Sequence, residues 1–299
     1  MQAAKEVLRL ATPARPAAAL IASNGLIAGA VCVDGKLRLW DKDGKLTRTT
    51  DLGRHRIDVT EMSDDGRWIV TGDHAGGVTI WNTATGEAHM SMKMPPYAGV
   101  AAFSHDSQRL ALAAQGRPVV VLDLASRRKV AELEEAVGGT TAVAFSHDGA
   151  LLATAHGDTT VAVHDAKTGR RIATNEDFLA EALGIDFTAD GKQVIAAGAD
   201  KVVAYIDAAT GKSLRRLDRT AHPFWRLAVS RDGAQFATAF IDADNMLLPA
   251  PVVVWDTATG RKRSEWLPTG EPVGGAWTVD GRFLVATAED GMIHVWQVQ

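Results

Sequence analysis

Short apolar runs alternate with polar turns along the whole chain, and the alternation repeats. One copy reads SDDGRWIVTGDHAGGVTIWNTATGE from Ser63, and close variants begin at Ser146, Thr188 and Ser230. Short runs rich in Val, Ile, Thr and Ala, bounded by Gly and Asp, are typical of β-strands joined by tight turns. The aspartates before Gly are interpreted as turn residues rather than metal ligands. The pattern predicts an all-β protein built from repeats.

One position in each copy fixes the register, because it lies in the third apolar run and is most often Trp. Successive marker positions are separated by 41, 41, 42, 42, 49 and 41 residues. Four-stranded units at this period stack around a central axis as a β-propeller, so seven copies predict seven blades. The marker positions are Trp40, Trp81, Leu122, His164, Ile206, Trp255 and Trp296.

The two ends of the chain predict how the ring closes. The seventh copy stops at MIHVWQVQ, its third strand, while AKEVLRLAT precedes the first copy as an orphan strand. The orphan strand can complete the last blade, which joins the two ends of the ring and leaves no open blade. We therefore expect residues 1–299 to form one seven-bladed β-propeller domain of antiparallel blades.

These copies resemble the WD-repeat (WD40) family over essentially the whole chain, through the elements FS-x-DG, LATA and W-D-x-x-TG. The resemblance implies a non-catalytic scaffold that binds a protein or peptide on one face of the propeller. This top face carries the turns between second and third strands and the links between blades. The copies also depart from the family, since the Gly-His dipeptide is absent. Their divergence and alanine content suggest a bacterial member.

The sixth copy contains an insertion. From the Ser or Thr before the Asp-Gly turn to the marker, five copies count 18 residues, whereas Ser230 to Trp255 counts 25. The seven extra residues fall within Ile241 to Pro251, between the intact runs FATAF and VVVW, so the insertion projects from the top face.

The link that enters the sixth blade reads HPFWR, and aromatic residues and Arg are favoured at interface hot spots. We predict that a partner binds this link and the insertion. The alternative is that the apolar residues of the insertion cover their own blade. The predicted partner-binding residues are His222, Phe224, Trp225, Arg226, Asp244, Met246, Leu247 and Leu248.

Composition narrows the class of protein. The net charge of −4 and a pI near 6.1 argue against a nucleic-acid binder, which needs a basic face. The single cysteine, Cys32, excludes an internal disulfide framework.

The apolar stretch near the start is interrupted by Ser23, Asn24 and Gly25 and is interpreted as part of a repeat rather than a signal peptide. No apolar run reaches membrane-spanning length, so we expect a cytoplasmic, monomeric protein without membrane insertion.

Two groups of residues could bind a metal ion, but each can also be explained without one. Met90, Met92 and Met94 would share one side of a strand, where three thioethers could bind Cu(I) or pack against the next blade. His105 and His147 occupy the same turn in neighbouring copies, and we expect them to lie too far apart for a metal pair. No metal or other cofactor is expected.

No catalytic motif is present: Gly-x-Ser-x-Gly, His-Glu-x-x-His and a phosphate-binding glycine loop are all absent. We therefore expect no enzyme. The alternative is a propeller enzyme, or a small-molecule or metal-binding protein, that uses the central channel. His164 replaces the marker Trp and is expected to be buried with a hydrogen bond. The candidate channel residues are Asp58, Glu61, Asp186 and Arg226.

Overall fold

The described part of the chain is entirely β-structure, with 28 strands in seven four-stranded antiparallel sheets and no helix. No helix long and apolar enough to span a bilayer occurs among these residues. The computed structural model describes residues 5–14, 16–21, 27–41, 43–53, 57–96, 98–114, 116–134, 138–217, 224–230, 232–240, 252–266, 274–277, 283–287 and 292–297.

The strands follow the predicted repeat, and each is bounded by turn residues. In chain order they are β1 Lys5–Ala11, β2 Pro16–Ile21, β3 Ile27–Cys32, β4 Lys36–Asp41, β5 Leu46–Asp51, β6 Ile57–Met62, β7 Trp68–Asp73, β8 Gly77–Asn82, β9 Ala88–Lys93, β10 Ala98–Phe103, β11 Arg109–Ala114, β12 Val120–Asp123, β13 Arg128–Glu132, β14 Thr140–Phe145, β15 Leu151–His156, β16 Val161–Asp165, β17 Arg171–Asn175, β18 Ala182–Phe187, β19 Gln193–Gly198, β20 Val203–Asp207, β21 Ser213–Leu217, β22 Phe224–Val229, β23 Gln235–Phe240, β24 Val252–Asp256, β25 Lys262–Trp266, β26 Gly274–Trp277, β27 Phe283–Thr287 and β28 Met292–Gln297.

Six of the sheets use four consecutive strands, and the seventh joins the two ends of the chain. Sheets 1 to 6 are β2–β5, β6–β9, β10–β13, β14–β17, β18–β21 and β22–β25, and sheet 7 has the order β1-β28-β27-β26. The first strands of neighbouring sheets contact one another in sequence, and β26 of sheet 7 contacts β2 of sheet 1. The predicted all-β, seven-bladed propeller and its closure by the N-terminal strand are thereby confirmed.

The closing strand β1 is held by main-chain and side-chain bonds. It pairs antiparallel with β28, from Lys5 opposite Gln297 to Ala11 opposite Met292. The Glu6 carboxylate hydrogen-bonds the buried ring of His294 and accepts a bond from Arg9 Nη2 at 3.0 Å. The Arg9 hydrogen bond is the largest cause that keeps the pKa of Glu6 below its usual value.

In sheets 2 to 6, the turn after the innermost strand follows one design. In sheet 4, Asp148 Oδ1 accepts hydrogen bonds from Ser146 Oγ at 2.7 Å and from the main-chain N–H of Ala150 at 2.9 Å. Gly149 then takes a positive φ of 68°, which only glycine adopts without strain. The equivalent aspartates of sheets 2, 3, 5 and 6 accept the same bond from the preceding Ser or Thr. The interpretation of these aspartates as turn residues is confirmed.

The apolar core lies between the sheets rather than at one centre. Six clusters of buried side chains fill the space between sheet pairs in the described residues, such as Val163 with Ile206 between sheets 4 and 5. Sheets 1 to 5 are therefore apolar on both faces and cannot be buried without their neighbours, which is why repeats stack.

Arginines on two outer strands join adjacent sheets. Arg215 Nη1 of β21 donates to the carbonyl of Ala258 in sheet 6 at 3.0 Å, and Arg48 Nη1 of β5 donates to the carbonyl of Thr85 in sheet 2 at the same distance. Both arginines occupy the same register position, opposite Tyr205 and Leu39 respectively. In both cases the turn after the third strand of a sheet is thus hydrogen-bonded to the preceding sheet.

Candidate functional site on the top face

The described residues cover only part of the predicted partner-binding surface. His222, Asp244, Met246, Leu247 and Leu248 lie outside the described residues, so their predicted role stays a prediction. Trp225 and Arg226 belong to β22, the innermost strand of sheet 6.

Phe224, which begins β22, is a core residue. Its side chain is fully buried in the cluster that also contains Phe236 and Tyr205. A side chain without accessible surface cannot contact a partner, so Phe224 supports sheet 6 from within instead of contributing to the predicted binding surface. It was predicted as a contact because aromatic residues are favoured at interface hot spots, but its ring packs in the apolar space between sheets 5 and 6.

The link from sheet 4 to sheet 5, residues 176–181, forms a fixed loop on the top face. Phe178 is buried in the core cluster between these sheets, and its ring lies under Arg216, whose Cζ is 5.8 Å from the ring centroid. Arg216 Nη1 also donates to the carbonyl of Asp177 at 2.9 Å. The Asp177 carboxylate accepts bonds from Ser213 Oγ at 2.5 Å and Asn175 Nδ2 at 3.1 Å.

The same link is fastened to the turn between β19 and β20. The main-chain N–H of Leu179 donates to Asp200 Oδ2 at 3.2 Å, and that of Ala199 donates to the carbonyl of Glu181 at 2.8 Å. The approach is close because Gly198 has no side chain: a Cβ there would lie 3.0 Å from Phe178 Cδ1. The loop is therefore held at both ends and in the middle.

Leu179 is the residue that this loop presents to solvent. It is 75% exposed, the highest value among the large apolar side chains for which burial is described. The residues around it are acidic, since Glu176, Asp177 and Glu181 are all exposed. Sequence reasoning missed this site because the link adds no residues to the repeat. The available signal was the local composition, EDFLAE, in which two large apolar residues lie among three acidic ones.

The channel wall carries a buried carboxyl group on β18. Asp186 keeps some accessible surface but lies deep among the innermost strands, and burial raises its pKa to about 6. Its two oxygens accept main-chain N–H groups, from Phe187 and from Val229 of sheet 6, each at 2.8 Å. The bond from Val229 ties sheet 5 to sheet 6, whereas the bond from Phe187 stays within β18. Asp58 lies instead at the rim of sheet 2, with Oδ2 2.9 Å from His74 Nδ1.

The expectation that His105 and His147 lie far apart is wrong. Their ring centroids are 4.5 Å apart, and His105 Nδ1 lies 2.8 Å from Asp64 Oδ2 of sheet 2. These residues follow innermost strands, which contact one another around the channel, so side chains of adjacent sheets meet there. No group of three or more His, Cys, Asp or Glu in the described ranges is arranged to hold a metal ion.

Comparison with known proteins decides the family of the repeats. A family model described as "WD domain, G-beta repeat" matches residues 44–82, 128–165 and 271–297, which include strands of sheets 2, 4 and 7.

The chain contains WD40 repeats at these three positions.

One relative of the chain is the "WD repeat-containing protein SL1-17" of Schistosoma mansoni. It is 29% identical over 106 residues, which are 35% of this chain and 35% of the relative. The matched part is therefore about a third of the relative's own length.

A hydrogen bond between the marker Trp and a Thr recurs in these repeats. The Trp81 indole N–H donates to Thr71 Oγ1 at 2.8 Å, and Trp255 donates to Thr238 at the same distance. In sheet 4, His164 takes the marker position and its Nε2 lies 3.1 Å from Thr154 Oγ1. His164 is buried, so the prediction for this residue is confirmed.

Replacing Trp81 by Phe should lower the free energy of unfolding by about 1–2 kcal/mol, because the Thr71 hydroxyl is buried and loses its donor. Chemical denaturation measures the change. Trp68→Phe in the same sheet is the control, since Trp68 packs in the core but its indole has no hydrogen bond in the described structure. Equal destabilisation of both variants would contradict a role for the bond.

The methionine row at β9 packs against the apolar core. Met90, Met92 and Met94 pack against the cluster between sheets 2 and 3, with Leu110 and Leu122 as members of that cluster. On the other side of the strand, His89 Nε2 lies 2.9 Å from the carbonyl of Leu124. These are the contacts expected if the three methionines pack against the next blade.

Proposed function

We propose that this WD40 chain is a protein-binding scaffold whose top face, around sheets 5 and 6, receives a partner protein or peptide. WD40 domains generally mediate protein interactions, which supports the class of function. The single observation that carries the location is Leu179, a large apolar side chain exposed on a loop whose main chain is fixed.

The fixed main chain distinguishes Leu179 from an apolar residue that is merely tolerated at a surface. Isolated exposed apolar side chains are common and need no function. Here the link buries Phe178 and exposes its neighbour, and hydrogen bonds to Asp177, Leu179 and Glu181 hold that arrangement. A rigid loop loses little conformational entropy when a partner binds, so its apolar side chain contributes more of its burial energy to affinity.

The predicted residues of the sixth blade extend the same proposal. The link and the insertion of that blade, which contain His222 and residues 241–251, connect strands of the sheet next to sheet 5. The residues that we retain as proposed contacts are His222, Trp225, Arg226, Asp244, Met246, Leu247 and Leu248. Leu247→Ser with Leu248→Ser tests them by loss of partner capture from a folded variant.

The channel supports an enzyme or a small-molecule site less well. Asp186 has the shifted pKa that active sites often show. Its oxygens, however, already accept two main-chain donors, and the one from Val229 joins sheet 5 to sheet 6, so a structural role accounts for the group.

Leu179→Ser should reduce partner recovery about tenfold or more in affinity capture from the native cell extract, because burial of one leucine contributes about 1.5–3 kcal/mol. Quantitative mass spectrometry compares recovery with the unchanged chain. Leu214→Ser is the matched control, because Leu214 is 54% exposed in sheet 5 but lies on the outer strand β21. Full recovery by Leu179→Ser would remove the link from the binding surface.

A further inference from the structure

The surface around Leu179 carries an excess of negative charge. Three carboxylates belong to the link itself, Glu176, Asp177 and Glu181. Asp200 lies in the adjoining turn of sheet 5, where it bonds the N–H of Leu179. The carboxyl of Asp177 stays ionised at neutral pH, because the Ser213 hydroxyl donates to it and holds its pKa below the usual value.

A fifth carboxylate lies beside the link in sheet 4. The space at Gly157 is bounded by Glu181, whose Oε1 lies 3.6 Å from the position of an added Cβ. Asp158 follows Gly157 in the same turn and accepts hydrogen bonds from Thr160. The acidic side chains thus continue from the turn of sheet 4, across the link, to the turn of sheet 5.

The cations nearby are already engaged. Arg216 Nη2 lies 3.8 Å from Asp200 Oδ2, and Nη1 donates to the Asp177 carbonyl. Arg171 Nη2 pairs with Glu134 at 3.0 Å. Within the described residues, Glu176 and Glu181 form no ion pair, so two exposed carboxylates beside Leu179 have no cation of their own chain. Such a surface attracts positive ligands and repels negative ones.

We propose that the partner presents a short segment in which an apolar side chain packs on Leu179 and flanking Lys or Arg side chains pair with Glu176 and Glu181. This inference rests on the proposed function and specifies the chemistry of its partner. A polyanion or an anionic membrane surface would be repelled by the same carboxylates, so charge complementarity selects a basic and apolar peptide.

The test begins with selection from a random peptide library displayed on phage, with the full chain as the target. Enriched sequences should contain an apolar residue with Lys or Arg within a few positions. The enriched peptide is then titrated against the chain and its variants by fluorescence anisotropy. Equal thermal unfolding midpoints of variants and unchanged chain establish that the variants are folded.

The double variant Glu176→Gln with Glu181→Gln should weaken binding about fivefold, since exposed ion pairs contribute modestly. Its effect should vanish between about 0.1 M and about 1 M salt, where the Debye length falls from about 10 Å to about 3 Å. Leu179→Ser should weaken binding about tenfold at both salt concentrations. Glu87→Gln, an exposed carboxylate on the turn between β8 and β9, should leave binding unchanged.

The outcomes separate the two proposals. Enriched peptides that lack basic residues, or that bind the Glu176→Gln, Glu181→Gln variant with unchanged affinity, overturn the inference but leave a Leu179-dependent scaffold intact. Peptides whose binding is insensitive to Leu179→Ser, or the absence of any enriched peptide, overturn the inference as well. The scaffold proposal itself then depends on the capture experiment with Leu179→Ser and Leu214→Ser.

Discussion

Gly211→Ala should lower the free energy of unfolding by about 3–4 kcal/mol. The loss has two causes: alanine is strained in the left-handed backbone conformation, and its Cβ would overlap a neighbouring strand. Gly211 has φ of 75° in the turn between β20 and β21. An added Cβ would lie 2.2 Å from the carbonyl oxygen of Thr174 in β17 of sheet 4. Because that neighbour is main chain, no rotamer change relieves the overlap, and the two sheets must separate.

Gly116→Ala is the matched control for the backbone contribution. Gly116 has a similar φ of 64°, but no atom lies within 4 Å of the position of its Cβ. We expect this variant to lose only about 1–2 kcal/mol, the cost of the left-handed conformation. Urea unfolding of both variants measures the difference. Equal losses would show that the spacing between sheets 4 and 5 adapts without cost.

The second large effect concerns acid stability and the buried imidazoles of sheet 4. Thr154 Oγ1 lies 2.9 Å from His156 Nε2 and 3.1 Å from His164 Nε2, and both imidazoles are buried. Burial lowers the pKa of His164 to about 4, and proximity to His156 adds to the shift. Burial also lowers the pKa of His156.

Because the pKa values of His156 and His164 are lowered in the folded chain, the sign of the pH dependence of stability is determined. Between the unfolded pKa of about 6.5 and the folded value, the unfolded chain binds a proton that the folded chain does not. The free energy of unfolding therefore falls as the pH decreases through this window. For His164 alone the loss should amount to about 3 kcal/mol between pH 7 and pH 4.

His164→Gln should flatten this pH dependence, because a Gln amide can reach the Thr154 hydroxyl but does not titrate. The free energy of unfolding is measured for both proteins at several pH values between neutrality and pH 4. The unchanged chain should lose more stability than the variant over this range, and His156→Gln should shift the profile in the same direction. Parallel profiles would show that His164 is not a buried neutral imidazole.

Most of the fold could be predicted because the repeat is local in sequence. The turn glycines and the marker column fix where each strand begins and ends, and Trp81 and Trp255 lie in third strands as expected. The close approach of a turn glycine to a neighbouring sheet could not be predicted. That Gly211 approaches Thr174 depends on how sheets 4 and 5 stack, which no local pattern encodes.

The candidate site shows the same limit. The length of the link was known, but its pattern did not reveal that Phe178 is buried and Leu179 exposed. That choice depends on Gly198, a residue of the next sheet whose missing side chain leaves room for the Phe178 ring. The distance between His105 and His147 was misjudged for a related reason. Whole blades diverge outward, whereas the turns after innermost strands converge on the channel.

The closure of the ring by β1 means that the first strand of the chain must wait for the last strand to be synthesised. The partners Glu6 and His294 are 288 positions apart, so a ribosome adding about 5–20 residues per second makes β28 about 15–60 s after β1. Throughout that interval β1 has no strand to pair with, and an unpaired strand can join other nascent chains. The exposed charges of Glu6 and Arg9 on β1 are the kind of residues that discourage such pairing until its own partner is synthesised.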